Sequence, residues 1–439
     1  MGNGFPESYL NMAVPKADFI AVDSGGTDLG PYDLGSGENT AHGRESVIRD
    51  LRLLILASAE YDIPLLVGTA GHAGGDLGLQ RVRGFVEDII KTNKLHLRIA
   101  FIHAEQKKEF LLRKLAQNMI ETINPWGFSK EYPINEESIE GCDHIVGVMG
   151  VEPYIKAIND GAQVVIAGRS SDPAIVAAIL IKEGFPPGPV WHAAQIVCDQ
   201  GEYLARIRRD HFVLEPIPPE AKINREKIIR FALHETGSPY YIPEPGGVID
   251  MSEARYEMVS ERTLKVTGSK FNKTKYTIKL EGARKEGFRS IFFGGVRDRR
   301  IISQVGPWIE GFKKSFDSQL ADQYGYRPKY SMNFFVYGRD GVMGPLESVE
   351  EITSHEIFIL AEVIAPTEDT SIDLATNARQ MMMHFDPPLG PYSRNTLAIP
   401  FSPMQIKHGW VYRWTFNHRI VIDAMSELDE MFPIDYLDT

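Results

Sequence analysis

The chain has 439 residues, 43% hydrophobic and 24% charged, the composition of a folded globular protein long enough for two domains. A formal net charge of −12 argues against nucleic-acid binding, and the two cysteines, Cys142 and Cys198, leave no disulfide framework or cysteine-built zinc site. No run of 18 apolar residues and no basic-then-apolar leader is present, so a membrane span and secretion are not expected and the cytoplasm is the expected compartment.

In chain order, the apolar runs in "DFIAVD", "PLLVGTAG", "LHLRIAFIHAE", "HIVGVMG" and "AQVVIAG" read as strands. Helical patterns over Arg44–Tyr61, Leu79–Asn93, Lys107–Asn118, Val151–Asp160 and Asp172–Glu183 alternate with them. Strands this continuously apolar need helices on both faces. Residues 1–210 are therefore expected to form an α/β domain with a mostly parallel, doubly wound sheet. Residues 211–258 are rich in Pro and polar side chains and read as a connector with a short helix near Arg225–His234. Beyond it, "RTLKVTG", "KYTIKLEG", "RSIFFGGV", "YSMNFFVYG" and "EIFILAEVIA" read as strands, with helices near Ile302–Tyr324 and Thr370–His384. Residues 259–439 are expected to form a smaller α+β domain.

In a parallel sheet, ligands gather outside the carboxyl ends of the strands. Four strand ends here carry small, glycine-rich or charged loops: Asp23-Ser24-Gly25-Gly26-Thr27-Asp28, Thr69 to Asp76, Met149 to Pro153, and Arg169-Ser170-Ser171-Asp172. Glycines such as Gly25, Gly26, Gly71 and Gly74 let backbone approach a ligand and present successive N–H groups, with Thr27 adding a hydroxyl. Arg169 at a strand mouth is expected to hold an anion. Ser170, Ser171 and Asp172 open the following helix and serve either as its cap or as ligand contacts.

His72, set among glycines, is a candidate acid, base or metal ligand, balanced against an ordinary exposed loop histidine. Asp23, Asp28 and Asp76 are candidates for proton transfer or for a divalent cation, whereas Asp33 reads as turn chemistry. In the second half, Lys279, Glu281, Arg297 and Arg339 beside glycine-rich strand ends are expected to reach a carboxylate or a CoA phosphate, against the plainer reading as surface salt bridges. Met381 to His384 reads as core packing, and Asn395 as a buried amide. "DSGGT" resembles the first phosphate loop of sugar and acetate kinases, but "DLGPYDLGSG" stands where a second strand would be needed. With no G-x-G-x-x-G, Walker, H-E-x-x-H or G-x-S-x-G pattern, kinase, nucleotide-dependent redox and serine-hydrolase chemistry lack support.

The ordered set "GFPES", "DSGGTDLGPYDLGSG", "GTAGHAGGD", "MGVEPYIKAI", "GAQVVIAGRSSDPAIVAAILIKEGF", "PGGVIDMSEARYE", "KLEGARKEGFRSI" and "YGRDGVMGPLE" resembles the acyclic terpene utilisation (AtuA-like) family across nearly the whole chain. The resemblance implies a role in catabolism of acyclic terpenes and of branched or small carboxylic acids. It also implies a small ferredoxin-like partner module, here as a separate subunit. Where that family often has Gly-Arg-Ala-Cys-Asp-Pro this chain has Ser171 in place of the cysteine, and His192-Ala193-Ala194-Gln195 lacks a lysine that tends to follow the histidine.

The expected function is an enzyme binding a small carboxylate or its CoA ester between the two domains and acting by proton transfer, as a lyase, hydratase or isomerase. Arg169 would hold the anion while His72 with Asp23 or Asp28 handled protons. A divalent metal is admitted by the residues, and a homo-oligomer is expected. The alternative is a noncatalytic or partner-dependent subunit, which the missing cysteine and lysine favour.

Overall fold

A computed structural model of the chain describes residues 1–123, 133–230, 237–325, 328–386 and 397–439. Asn395 and the end of the helix expected to reach His234 lie outside the described residues. The chain divides into two compact units, residues 1–284 with 413–439, and residues 285–412.

In the first unit the strands begin with β1 (Ile20–Asp23), β2 (Leu65–Gly68), β3 (Arg98–Ile102), β4 (Ile120–Thr122), β5 (His144–Val148) and β6 (Val164–Ala167). The main sheet has the order β1-β2-β6-β3, all parallel, and the segment Ile434–Asp438 closes it antiparallel to β3. Alternate residues of these strands enter two different cores. Leu65, Val67, Ile99, Phe101, Val164 and Ile166 pack against helices Arg44–Tyr61 and Asp76–Asn93. Leu66, Ala100, Ile102, Val165 and Ala167 face the opposite way, toward helices Glu152–Asn159 and Asp172–Lys182. With both faces covered, an unbroken apolar strand such as "LLVG" is fully buried, and the sheet is doubly wound as its sequence predicts.

One expected member is elsewhere. The run "HIVGV" forms β5, which pairs antiparallel with residues 279–283 rather than joining the parallel sheet. An apolar run specifies burial on both faces but not the direction of its neighbour. The loop after β5 nevertheless reaches the sheet edge, because Met149 forms a parallel bridge with Ser170.

Residues read as connector carry regular structure. After β7 (Tyr203–Ile207) come β8 (His211–Pro216), β9 (Tyr241–Glu244), β10 (Gly247–Asp250) and β11 (Arg255–Ser260), followed by β12 (Thr263–Thr267) and β13 (Lys270–Lys273). They form a four-stranded antiparallel sheet, β11-β12-β8-β7, and a three-stranded one, β13-β10-β9. The β9–β10 turn holds Pro245 and Gly246, the latter at φ 81°, a conformation that glycine adopts without a Cβ clash.

The second unit is built on the later part of β14 (Thr277–Val296), with β15 (Ser331–Tyr337) and β16 (Ile357–Ala365) antiparallel beside it. Helices Val305–Tyr324 and Glu368–Met382 cover one face of this sheet, burying Phe292, Trp308, Phe312, Val363 and Leu374 among others. The last long strand, β17 (Gln405–Val421), begins in this unit and ends in the first. No helix among the described residues is long and apolar enough to cross a membrane.

Candidate functional site

The loops after β1, β2 and β6 interlock, and their glycines are what permits it. A Cβ on Gly25 would stand 2.3 Å from the carbonyl oxygen of His72, and one on Gly74 would stand 2.3 Å from the Arg169 nitrogen. Gly71 packs as closely against Gly78, where a Cβ would lie 2.4 Å from backbone. These three glycines are consumed by loop-to-loop packing instead of forming an open nest for a ligand. Gly26 differs, since only the flexible end of Asp28 lies close to it. The loop after β2 also holds two non-glycine residues in left-handed backbone, Thr69 (φ 50°) and His72 (φ 81°), a strain concentrated where function is commonly found.

Arg169, nearly buried at the end of β6, is not free. Its Nε donates to Glu281 Oε2 at 3.0 Å, Nη2 donates to the Thr27 hydroxyl at 3.3 Å, and Asp172 lies 3.8 Å away. Glu281 also receives Lys279 Nζ at 2.7 Å and the Thr27 hydroxyl at 3.2 Å. Burial works against the Glu281 charge, but Arg169 and Lys279 outweigh it and hold the carboxyl down at about 2. Lys279 is the cation of this network that remains open to solvent, with its side chain 40% exposed.

Beside it, a second carboxyl is held in the opposite state. Ser171 occupies the N-cap position of helix Asp172–Lys182, yet its hydroxyl makes no cap bond and donates instead to Glu244 at the tip of the β9–β10 hairpin. Burial pushes the Glu244 carboxyl up to about 8, with Asp172 acting in the same direction against the Ser171 bond. Glu152 forms a further such pair, accepting from the Tyr276 hydroxyl, and burial raises its carboxyl as well. Gly150 joins the two pairs: a Cβ there would meet Tyr276 Oη at 2.7 Å, Glu152 Oε2 at 2.9 Å and Pro245 at 2.9 Å. Asp23, at the end of β1, is likewise raised by burial, against the N-terminal ammonium, the Gly25 amide and Arg169. Cys198 feels these same carboxylates; burial first, then Asp172, Asp23 and Glu244, keep it a thiol and so a poor nucleophile.

The histidines form a separate row of ion pairs. His72 Nδ1 lies 2.6 Å from Asp33 Oδ2, an off-axis contact, since that nitrogen has no aligned hydrogen-bond acceptor. Asp33 also accepts from the Thr40 amide and hydroxyl. His103 stands between Asp76 (3.0 Å) and Asp435 (3.2 Å), and His144 Nδ1 meets Glu105 at 2.5 Å. The Asp76 bond, set against burial, raises the His103 imidazole, and the Glu105 bond does the same for His144. The space among Asp33, Gly71, Gly75, Glu105 and His144 amounts to about 10 Å³, room for roughly one water. No group of three or more His, Cys, Asp or Glu among the described residues is placed to hold a metal ion.

The sequence-derived candidates thus divide. Thr27, Arg169, Ser171, Asp172 and Lys279 come together, and Asp23 adjoins them through Arg169. His72 pairs with Asp33, not with Asp23 or Asp28 as expected, and Asp28 is exposed. Asp76 belongs to the His103 pair. Ser170 is fully buried, bonded to Gly168 and Tyr154 Oη, so it lines the core. Arg297 lies in the second unit, donating to the carbonyl of His355.

The sequence sets Glu281 beside Lys279 as a candidate, whereas Glu244, Glu152 and Tyr276 have no role assigned from the sequence. Only Glu244 had a usable local signal: a carboxylate immediately before a Pro-Gly-Gly turn, which marks a hairpin tip. Residues 46–184 match the model of a family described as acyclic terpene utilisation family protein AtuA, a span holding the loops after β2 and β6. No curated protein and no solved structure matches the chain.

Proposed function

We propose, from its membership of the acyclic terpene utilisation family AtuA, carried by residues 46–184, that this chain is an enzyme acting on a small or branched carboxylic acid or its CoA thioester. The step is proton transfer of lyase, hydratase or isomerase type. One observation carries the reading: the carboxyls flanking the Arg169–Asp172 loop are held in opposite states, Glu244 protonated near neutral pH and Glu281 ionised. Two carboxyls bonded to the same loop and held in opposite states in this way fit the roles of an acid and its charged counterpart. Glu244 is the proton donor, positioned by Ser171, and Glu152 with Tyr276 forms a second protic pair across Gly150. Lys279, the exposed cation, meets the substrate carboxylate or a phosphate of the CoA moiety, while Arg169 fixes Glu281.

The test is incubation with short branched acids and their CoA thioesters in D2O, with proton NMR reading exchange at carbon. The wild type should exchange at least one member of the panel, and Glu244→Gln should slow it about 100-fold or more, the usual worth of a positioned general acid. Wild-type exchange surviving in the variant would defeat the assignment.

A second reading, a partner-dependent or noncatalytic subunit, draws support from Arg169 being already paired. It predicts that a panel member raises thermal stability without exchange.

A further inference from the structure

The second unit presents an unguarded sheet edge. Among the described residues β15 is the outermost strand of the order β15-β16-β14, so one row of its backbone N–H and C=O groups has no strand partner. Natural edges are normally blunted by lysine, proline, a bulge or an inward charge. Ser331–Tyr337 reads SMNFFVY, which contains no charged residue and no proline, and its register with β16 runs without a bulge.

The face beside that edge is largely apolar toward the Tyr337 end, while toward Ser331 it carries Glu362, which accepts from Asn333 and pairs with Arg289. Phe335 pairs across to Leu360 and Tyr337 to Phe358, and Phe293 lies next to Leu360 on the other side. Phe293 stacks on Phe358 and meets Phe401 edge-on, at 5.8 and 5.2 Å between ring centres. Phe335, Tyr337, Phe358 and Phe401 are 37–55% exposed, whereas the opposite face is covered by two helices. The loop that continues β15 adds Val342, Met343, Leu346 and Val349, each more than half exposed. Together these side chains leave on the order of 800 Å² of apolar surface open, which is what one partner contributes to a stable interface.

We propose that a second copy of this chain covers this edge, pairing β15 with its own symmetry mate antiparallel across a two-fold axis. The unbonded main-chain groups call for an extended strand, which fixes the kind of partner. A strand without charge in a chain carrying a formal net charge of −12 lets two β15 strands meet without setting like charges against each other, and a two-fold contact closes after two copies.

Sedimentation velocity on the full chain tests this from nanomolar to tens of micromolar concentration. The wild type should form a dimer, and Phe335→Lys and Tyr337→Lys, which bring a lysine from each copy into the apolar contact, should each weaken it at least tenfold, with an unchanged melting temperature at concentrations where the wild type is monomeric. Hydrogen exchange supplies a readout independent of any substitution: amides of Ser331–Tyr337 should be protected in the dimer and lose protection on dilution. A wild type that stays monomeric throughout, a dimer untouched by both lysines, or a β15 whose exchange ignores dilution would overturn the proposal.

Discussion

Replacing Arg169 with Met removes one of two cations facing Glu281, a carboxylate whose side chain is only 5% exposed. Lys279 at 2.7 Å and the Thr27 hydroxyl remain, but the larger of the two attractions, that of the buried cation, is gone. Stranding a buried charge in this way costs about 3–5 kcal/mol. Glu281→Gln leaves Arg169 with Asp172 at 3.8 Å and the more remote Asp23 as its carboxylates, a comparable loss. The double variant strands neither group, so the single effects should fail to add, with a coupling of about 2–3 kcal/mol.

The pH dependence has a definite sign. The Glu281 carboxyl is depressed from 4.5 to about 2 on folding, so its contribution is fully present above 4.5 and is lost as pH falls toward 2. Over that window the loss is about 3 kcal/mol. Urea unfolding of the four proteins at neutral and acid pH measures both quantities, and the coupling should shrink below pH 4.5. Additivity within about 0.5 kcal/mol at neutral pH would refute the reasoning.

Three further outcomes are expected. Glu244 is raised on folding, so between pH 4.5 and about 8 the wild type should lose stability with rising pH relative to Glu244→Gln. The divergence should reach about 2–5 kcal/mol by urea unfolding, and parallel curves would contradict it. Gly74→Ala, which puts a Cβ against the Arg169 backbone at φ 70°, should cost about 2–5 kcal/mol and lower the melting temperature, while an unchanged melting temperature would remove the interlocking-loop account. His103→Asn should cost about 1 kcal/mol below pH 6.5, where the imidazolium bridges Asp76 and Asp435, and progressively less as pH rises through its raised folded value. A loss independent of pH would assign His103 a packing role only.

The parallel core was legible because "IAVD", "LLVG" and "VVIA" are short, apolar but for the terminal Asp23 and separated by helical patterns, a texture that calls for helices on both faces. The site loops were legible for a related reason: whatever follows parallel strands collects on one edge. The direction of β5 was not, since "HIVGV" has the same composition whichever way its neighbour runs. Partners across the chain were equally hidden. Glu281 meets Arg169 over a separation of 112 residues, and Glu244 meets Ser171 over 73. Local pattern carries no register between such segments, so a carboxylate that closes an ion pair looks like any other surface charge. Asp33 shows the opposite limit: its turn chemistry is real, as the Thr40 bonds show, and the same carboxylate also faces His72.

The protonation of Glu244 tests the account most directly. Carbon-13 NMR of protein labelled at the glutamate δ-carbon, with Glu244→Gln identifying the resonance, follows that single group through a pH titration. The account predicts a carboxyl still protonated at neutral pH, with a midpoint near the value of about 8 that burial beside Ser171 and Asp172 imposes. A midpoint at the ordinary 4.5 would leave the site without its proton donor and contradict the proposed chemistry.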